Sequence, residues 1–409
     1  MRPHSLTALL LVAALAGLAF ATVSTYDFTA HLDRQVHGIH CSFLPGLSPT
    51  ETGNTGCHVT LMSPYSSVLR ASIWGGIPIS LPAMSVFSFL AFFAIWLVLR
   101  DHERDPRATA FTLLATALPA SMSVVMGYIS LSQLHAACKL CIGIYTSSVI
   151  AFIAALLLFL RARNTRTTGG ATPVDFGALS LAFGVGVLFV AVPVSTYAAS
   201  APDFSRYVGR CGKLAQPDAG QVLVPIGAQD RPLSMIEVLD PLCPSCRGFE
   251  DRFSRMDASL ELSRRALLFP LDNTCNWMVG DSIHPGACSV SEAMLCAGAR
   301  AGEVLEWSYQ NQEAIIEATK TDPKAAARMV SAHFPDLASC VGSASVRAKL
   351  NLSLRYAVKN HLQVLTPQVF VAGVRLCDED TDLGLDFALP HLIAYARANP
   401  ATGQAPSGH

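Results

Sequence analysis

The sequence predicts an all-α helical membrane bundle followed by a separate α/β domain, and two observations carry this prediction. Of the 409 residues, 51% are hydrophobic and only 14% are charged, whereas soluble domains average about 25% charged residues. Five long apolar runs lie before residue 203, and residues 203–409 have an ordinary globular composition. The net charge of −1 provides no basic field of the kind that attracts nucleic acid.

Each apolar run is long enough to span a membrane, which takes about 20 apolar residues in a helix. We predict a four-helix bundle and a fifth helix that links it to the soluble domain. The predicted spans are residues 6–23, 75–99, 108–134, 138–160 and 176–200. The predicted domains are residues 1–166, 167–220 (fifth helix and linker) and 221–409. A cleaved signal peptide is the alternative for the first run, but its length favours a retained helix.

Arginines are concentrated in every second connection between these runs, and this distribution predicts the orientation of the chain in the membrane. Cytoplasmic loops are enriched in Arg and Lys. The arginines lie at the N-terminus and in the second–third and fourth–fifth connections: Arg2, Arg100, Arg104, Arg107, Arg161, Arg163 and Arg166. We therefore expect an inner-membrane protein with a cytoplasmic N-terminus and a periplasmic soluble domain. All twelve cysteines then lie on the oxidising side, where cysteine pairs form disulfides.

The soluble half contains a cysteine pair at the point where a strand meets a helix. Residues 233–240, "LSMIEVLD", are apolar and bounded by prolines, which predicts a buried strand. The strand runs into "PLCPSCRGFEDRF", so Cys243 begins a helix, whose N–H groups and dipole stabilise a thiolate. Further strands are predicted within 264–272 and 362–376, with helices over about 289–362 and 386–398.

This half resembles the thioredoxin superfamily, and within it the periplasmic disulfide oxidases with a helical insertion. The resemblance rests on "CPSC" after a strand and on "LTPQVFVAG" far downstream. It implies that Pro367 is a cis-proline facing the cysteine pair and that Thr366 flanks the groove for the substrate protein. Cys243 would be the attacking thiol and Cys246 the resolving thiol. An ordinary trans proline at a strand start is the alternative for Pro367.

Six further cysteines in this half are interpreted as structural staples. Six cysteines allow 15 pairings, and the sequence leaves the choice open. The candidate pairs are Cys275–Cys288, which would close a short loop, Cys296–Cys340 on predicted helices, and Cys211–Cys377 as the remaining pair.

The membrane half carries its own cysteines in a distinctive order. Cys41 and Cys57 lie in the first outer loop, with a short amphipathic stretch predicted over about 57–70. The motif "SPYSSV" follows, then "GIPISL" at the second span, then "CKLC" at the outer start of the fourth. Over roughly residues 5–165 this order resembles the vitamin K epoxide reductase family, whose bacterial members are often fused to a thioredoxin-like domain. The loop cysteines stand sixteen residues apart, wider than expected for that family.

The resemblance implies a membrane thiol oxidase that makes protein disulfides and reduces a quinone, either ubiquinone or menaquinone. Electrons would pass from reduced periplasmic proteins to Cys243–Cys246, then to a Cys41–Cys57 disulfide, then to the Cys138–Cys141 pair and on to the quinone. These hops are thiol–disulfide exchanges, each of which needs one attacking thiolate and one resolving partner.

The resemblance also implies individual roles within the membrane half. From their positions in the loop, Cys41, which is farther from the second span, would accept electrons from the soluble domain, and Cys57, nearer to the amphipathic stretch, would pass them to Cys138. Cys141 would face the quinone, Ser63 would hydrogen-bond a quinone carbonyl, and Tyr65 would line the pocket. A helix cap is the alternative role for Ser63.

Other classes of function remain as alternatives. The two C-x-x-C pairs could hold zinc, although a whole spanning helix separates them, and we predict no metal. A membrane-tethered disulfide isomerase or chaperone would use its helices only as an anchor, so that losing Cys138 or Cys141 would leave its activity intact. Export of reductant would need a cytoplasmic dithiol, which the predicted topology does not provide.

Overall fold

The structure, a computed structural model, describes residues 4–32, 40–41, 43, 56–134, 136–165, 174–217, 222–256 and 261–399. The chain forms two compact units, Met1–Pro202 and Asp203–His409. The boundary follows directly after the fifth long helix.

The described part of the first unit consists of α-helices and a two-stranded ribbon. The helices are α1 (Ser5–Leu32), α2 (Gly56–Met62), α3 (Ser80–Leu99), α4 (Pro106–Ser132), α5 (Lys139–Thr165) and α6 (Phe176–Ser200), and β1 (Ser67–Val68) pairs antiparallel with β2 (Ile77–Pro78). Among the described residues, five helices, all but α2, are long and apolar enough to cross a membrane. This is the number that the apolar runs predict.

Small residues allow the long helices to pack closely around α1. Helix α1 contacts α3 and α5, and α5 also packs on α4. Ala13 of α1 and Ala151 and Ala154 of α5 are buried in one cluster, and small side chains let membrane helices approach each other. A β-carbon at Gly143 of α5 would lie 2.7 Å from the Phe20 ring of α1, so a larger residue would displace that ring. This contact holds the start of α5 against α1.

Several helix boundaries in this unit differ from the prediction, and three of these differences have a clear cause in the backbone. Helix α1 continues to Leu32 because backbone hydrogen bonds carry it through polar residues beyond the apolar run. Helix α2 ends at Met62 rather than near residue 70, since Pro64 disfavours helical conformation in the residue before it. Helix α3 begins at Ser80 because Gly75 and Gly76 both adopt a φ of 75°, a left-handed conformation that interrupts a helix.

The second unit is built around a five-stranded mixed sheet in the order β3–β5–β4–β6–β7. The strands are β3 (Val224–Pro225), β4 (Leu233–Leu239), β5 (Leu262–Leu268), β6 (Gln368–Val371) and β7 (Val374–Arg375). Only β4 and β5 run parallel; the other neighbours are antiparallel. The first two strands predicted here are observed with ends shifted by a few residues, and the third stretch forms a tight hairpin of β6 and β7.

Helices cover this sheet, and most of them are inserted between β5 and β6. Helix α7 (Pro244–Phe253) follows β4, and the inserted helices are α8 (Ala287–Ala297), α9 (Ala301–Gln310), α10 (Gln312–Thr321), α11 (Ala325–His333) and α12 (Ala344–Lys359). Helix α13 (Leu385–Ala398) closes the unit. The helical insertion that the sequence predicts is therefore present, and it packs in one apolar cluster with Cys243 and Cys246.

Three disulfides cross-link the second unit, and they join the three candidate pairs of the sequence analysis. Cys211–Cys377 spans 166 residues, Cys296–Cys340 spans 44 and Cys275–Cys288 spans 13. The first ties the segment after Pro202 to the end of the sheet, where the Leu214 N–H also donates to the carbonyl of Gly373.

We expect the double variant Cys211→Ser/Cys377→Ser to lose about 2–5 kcal/mol of unfolding free energy in the second unit, because this disulfide closes the longest loop. Hydrogen exchange of β4 in the full chain measures this free energy. The control Cys296→Ser/Cys340→Ser opens a shorter loop and should cost about 1 kcal/mol less. Equal protection in wild type and the first variant would contradict the prediction.

Candidate redox sites

Cys138 and Cys141 lie at the start of α5. Cys138 precedes the first helical residue, and its sulfur accepts a hydrogen bond from the Cys141 N–H at 3.2 Å. Cys138 is buried, Cys141 is half-buried, and both are free thiols. The unpaired N–H groups and the dipole of a helix start favour negative charge at this position. The backbone therefore favours Cys138 as the sulfur that carries a thiolate.

The loop disulfide lies in the same buried cluster as this dithiol. Cys41 and Cys57 are bonded to each other, and both belong to one buried cluster with Cys138 and Leu140, against which Cys141 also packs. Cys41, Cys57 and Cys138 are each at most 5% exposed. All four cysteines of the first unit thus meet in one water-poor place, although the loop pair and the helix pair are far apart in sequence.

The start of α2 approaches the backbone just before Cys138 very closely. A β-carbon at Gly56 would lie 2.2 Å from the Ala137 carbonyl oxygen. Because this neighbour is backbone rather than a flexible side chain, any other residue at Gly56 would push α2 away. The glycine therefore sets how near Cys57 comes to Cys138.

A cavity opens beside the four sulfurs, bounded by residues of α1, α2, α3, α4 and α5 and of the turn after α2. Its lining is mostly apolar, with a few polar groups, which is the usual character of a small-molecule site. The apolar part includes Phe28, Leu61, Ile79, Met126, Ile129, Leu134 and Leu140. The sulfurs of Cys57, Cys138 and Cys141 also face it.

The two predicted polar residues of the pocket line this cavity. Ser63 and Tyr65 both contribute to its wall, and Ser63 is 5% exposed. The Ser63 hydroxyl donates to the carbonyl of Thr60 at 2.8 Å, in the last turn of α2. This hydrogen bond lies at the C-terminal end of α2, and it coexists with a place for Ser63 in the cavity wall.

Two further cavity residues, Tyr145 and Asp27, were not predicted from the sequence. Tyr145 lies four residues after Cys141, so both side chains share one helix face, and its hydroxyl hydrogen-bonds the Cys141 thiol. The spacing of four residues from Cys141 is the sequence signal that could have identified Tyr145. Asp27 is buried near the C-terminal end of α1, beyond the apolar run from which that helix was recognised.

The second unit presents its cysteine pair at the start of α7. Cys243 occupies the N-cap position of the helix without a capping hydrogen bond from its side chain, and Cys246 is fully buried. A hydrogen bond from the Cys246 thiol, with support from Thr366 and His284, lowers the pKa of Cys243 to about 6. Burial, together with the neighbouring Cys243, raises the pKa of Cys246 well above its usual range. The pair therefore consists of one thiolate-prone sulfur and one that stays protonated.

The predicted proline lies at this pair. The Thr366–Pro367 peptide is cis, as the resemblance to the thioredoxin superfamily implies. The carbonyl oxygen of Thr366 lies 3.5 Å from the Cys243 sulfur. Thr366 and the first cysteine of the pair are thus in contact, although more than a hundred residues separate them in the chain.

Buried titratable groups surround the second pair, and the sequence did not identify them. His284 contacts Asp240 at 2.8 Å, and the Asp240 carboxylate also accepts the backbone N–H groups of Leu242 and Leu271. Glu237 is fully buried on β4; burial raises its pKa to about 7, against the opposing charge of Arg264 at 2.8 Å. Glu237 is visible in the sequence as an acidic residue within an apolar strand.

We expect Gly56→Ala to slow thiol–disulfide exchange between the loop pair and Cys138 by about ten- to a hundredfold, because small displacements of reacting groups carry penalties of this size. Rapid acid quenching followed by alkylation of the free thiols measures the exchange. Gly184→Ala in α6 is the control, because a β-carbon there meets nothing within 4 Å. An unchanged exchange rate in Gly56→Ala would count against the prediction.

The alkylation rate of Cys243 in the reduced protein should rise with pH and level off above a midpoint near 6, because only the deprotonated sulfur reacts. An ordinary thiol would have its midpoint near pH 8.5. Iodoacetamide labelling, followed by mass spectrometry of the Cys243 peptide, measures the midpoint. Cys246→Ala should move it upward by removing the main stabilising hydrogen bond. A wild-type midpoint near 8.5 would refute this assignment.

The arrangement of the first unit can be compared with known proteins. Residues 8–156 match the model of the Vitamin K epoxide reductase family. No curated protein and no solved structure matches the chain. Within the described residues, no group of three or more His, Cys, Asp or Glu is placed to hold a metal ion. The match supports the predicted resemblance for the membrane half, over residues 8–156; proteins of this family are membrane-embedded thiol–disulfide oxidoreductases that use quinones.

Proposed function

We propose that this protein is a membrane thiol oxidase that makes protein disulfides de novo and passes the electrons to a quinone. The observation that carries the proposal is the buried contact between the Cys41–Cys57 disulfide and Cys138 beside an apolar cavity. Two cysteine pairs in contact can exchange electrons by forming and breaking one mixed disulfide. A disulfide that served only as a staple would not need a free dithiol against it.

The first step is oxidation of a substrate protein by the Cys243–Cys246 disulfide. We propose that the pair has the thioredoxin-like role, with Thr366 and Pro367 flanking the substrate groove. A substrate thiolate attacks Cys243, and the resulting mixed disulfide is resolved by a second substrate thiolate. The Cys243 sulfur is the better leaving group because its thiolate is the stabilised one. The substrate leaves with a disulfide, and the pair is left reduced.

The second step returns the soluble pair to its oxidised form. The Cys243 thiolate attacks Cys41 of the loop disulfide, and Cys246 then resolves the mixed disulfide. Two electrons and two protons now reside on Cys41 and Cys57. The loop pair passes them to the membrane pair through a bond between Cys57 and Cys138, with which Cys57 shares its cluster.

The third step transfers two electrons and two protons from Cys138 and Cys141 to a quinone, which leaves as quinol while the dithiol closes to a disulfide. The residues of the cavity fit such a substrate: apolar walls suit a lipid-soluble ring, and the hydroxyl groups of Tyr65 and Tyr145 can donate to its carbonyl oxygens. The Ser63 hydroxyl can do so once it rotates away from the Thr60 carbonyl. Donors fixed in a dry site stabilise charge that develops on oxygen. Cys141 is the proposed quinone-facing thiol, one helical turn beyond Cys138.

The proposed location follows from the distribution of charge along the chain. Arg100, Arg104 and Arg107 flank the connection from α3 to α4, and Arg161 and Arg163 lie in the last turns of α5. The opposite end of α5 carries Cys138 and Cys141. The positive-inside rule therefore supports a cytoplasmic N-terminus and a periplasmic second unit in the inner membrane, with reduced periplasmic proteins as substrates.

Cys141→Ala should abolish quinol formation while the protein still oxidises substrate once. The test mixes reduced, unfolded substrate protein anaerobically with the full-length enzyme and a quinone, and it follows both quinol absorbance and substrate thiols. Cys246→Ala is the matched variant: it should stop turnover earlier, because Cys246 can no longer complete the active disulfide or resolve the bond with Cys41. A tethered isomerase would keep its activity in Cys141→Ala, and quinol formation that survived this change would refute the assignment of Cys141.

A further inference from the structure

A buried carboxylate on α1 is hydrogen-bonded to the residue next to Cys41. Asp27 is 5% exposed, and His40 lies immediately before Cys41. One carboxylate oxygen of Asp27 accepts the His40 backbone N–H at 3.0 Å, and the other lies 2.6 Å from Nδ1 of the His40 ring. The Tyr26 ring packs edge-on against the same imidazole, with 6.1 Å between the centroids.

The Asp27–His40 contact does not involve the loop disulfide. Two polar or covalent connections tie the described residues 40–41 to the rest of the unit: the Cys41–Cys57 bond and the His40–Asp27 pair. The first must open whenever the loop pair carries electrons. The second involves no sulfur, so it can persist while Cys57 is engaged elsewhere.

We propose that Asp27 and His40 are positioning residues that hold Cys41 within reach of Cys57 while the loop disulfide is open. This inference rests on the proposed relay and identifies what makes its internal exchange efficient. The exchange begins when the Cys57 thiolate attacks Cys138 of the oxidised membrane pair. The Cys57–Cys138 bond forms, and Cys141 leaves as a thiolate.

The resolving step is the one that needs Cys41 to be held in place by the Asp27–His40 pair. The Cys41 thiolate attacks Cys57, the Cys41–Cys57 bond forms, and Cys138 leaves as a thiolate. The proton lost by Cys41 is balanced by protonation of the departing sulfur, so the step moves one electron pair among three sulfurs and requires no outside oxidant. It ends with an oxidised loop pair beside a free Cys138–Cys141 dithiol, the arrangement that the structure contains.

An anchored Cys41 resolves faster than a merely tethered one. A flexible tether provides effective concentrations in the millimolar range, whereas an oriented intramolecular group reaches far higher values. The paired contacts of a buried carboxylate are among the stronger hydrogen bonds available for such an anchor. On the N-terminal side of His40, the next residue that the structure describes is Leu32, the last residue of α1.

The test measures the Cys57–Cys138 mixed disulfide during turnover. Full-length protein in nanodiscs is supplied with a reduced dithiol peptide and a short-chain ubiquinone or, in parallel, a short-chain menaquinone. The reaction is quenched in acid and alkylated, and the cross-linked peptide is quantified by mass spectrometry. We expect Asp27→Ala and His40→Ala each to raise this species about tenfold over wild type, since resolution loses its anchor.

Two control variants define the maximal level and the wild-type level of the mixed disulfide. Cys41→Ala removes the resolving sulfur and sets the maximal level of the mixed disulfide. Ser123→Ala removes another buried polar contact of the same bundle, the 3.0 Å hydrogen bond to Ser148, and should stay at the wild-type level. His40→Ala decides the matter if Asp27→Ala fails to fold, because His40 is only partly buried and does not line the cavity.

Wild-type levels of the mixed disulfide in folded Asp27→Ala and His40→Ala would overturn the inference, whatever their activity. Accumulation in Asp27→Ala alone would also overturn it, because Asp27 would then act in the cavity rather than through His40. Failure of the proposed function looks different: Cys41→Ala would yield no Cys57–Cys138 species, and Cys141→Ala would still form quinol.

Discussion

The first unit is organised around one contact, the packing of the Cys41–Cys57 disulfide against Cys138. Thiol–disulfide exchange needs an attacking sulfur in line with a disulfide, so helices from separate parts of the chain must converge within a few ångströms. The close approach at Gly56 brings α2 to the start of α5, and the Gly143–Phe20 contact presses α5 against α1. The same convergence forms the cavity, because the sulfurs that meet there become part of its wall.

The two units place the same motif, C-x-x-C at a helix start, in opposite surroundings. In the first, apolar side chains enclose the dithiol, and the polar groups near it are hydroxyls and a single carboxylate. In the second, the pair lies near His284 and Asp240 and above the buried Glu237–Arg264 pair. A helix start stabilises a thiolate in both units, but in the second unit nearby charged groups also shift the pKa of the first cysteine. This contrast fits the proposed roles, in which the second pair reacts with proteins in water and the first pair reacts with a small lipid-soluble molecule.

Local patterns in the sequence predicted most of the fold, and the missed features depend on contacts across the chain. Apolar runs identify spanning helices because the bilayer imposes their length, and a strand followed by "CPSC" identifies a helix start. The Asp27–His40 contact joins a helix to a loop, and His284 reaches Asp240 from another loop, so no periodicity reveals them. The end of α2 was placed too late because amphipathic spacing continued past Pro64, where backbone sterics override it.

The wide spacing of the loop cysteines is compatible with the observed geometry. Closing a flexible loop becomes harder only slowly with its length, by about 0.6 kcal/mol for each doubling. The Cα atoms of Cys41 and Cys57 lie 5.8 Å apart despite a separation of 16 residues, within the usual range for a disulfide. Each cysteine has its own neighbour in the bundle, the Asp27–His40 pair for Cys41 and the Gly56–Ala137 contact for Cys57. The bundle therefore defines where the two sulfurs meet, and the number of residues between them is free to vary.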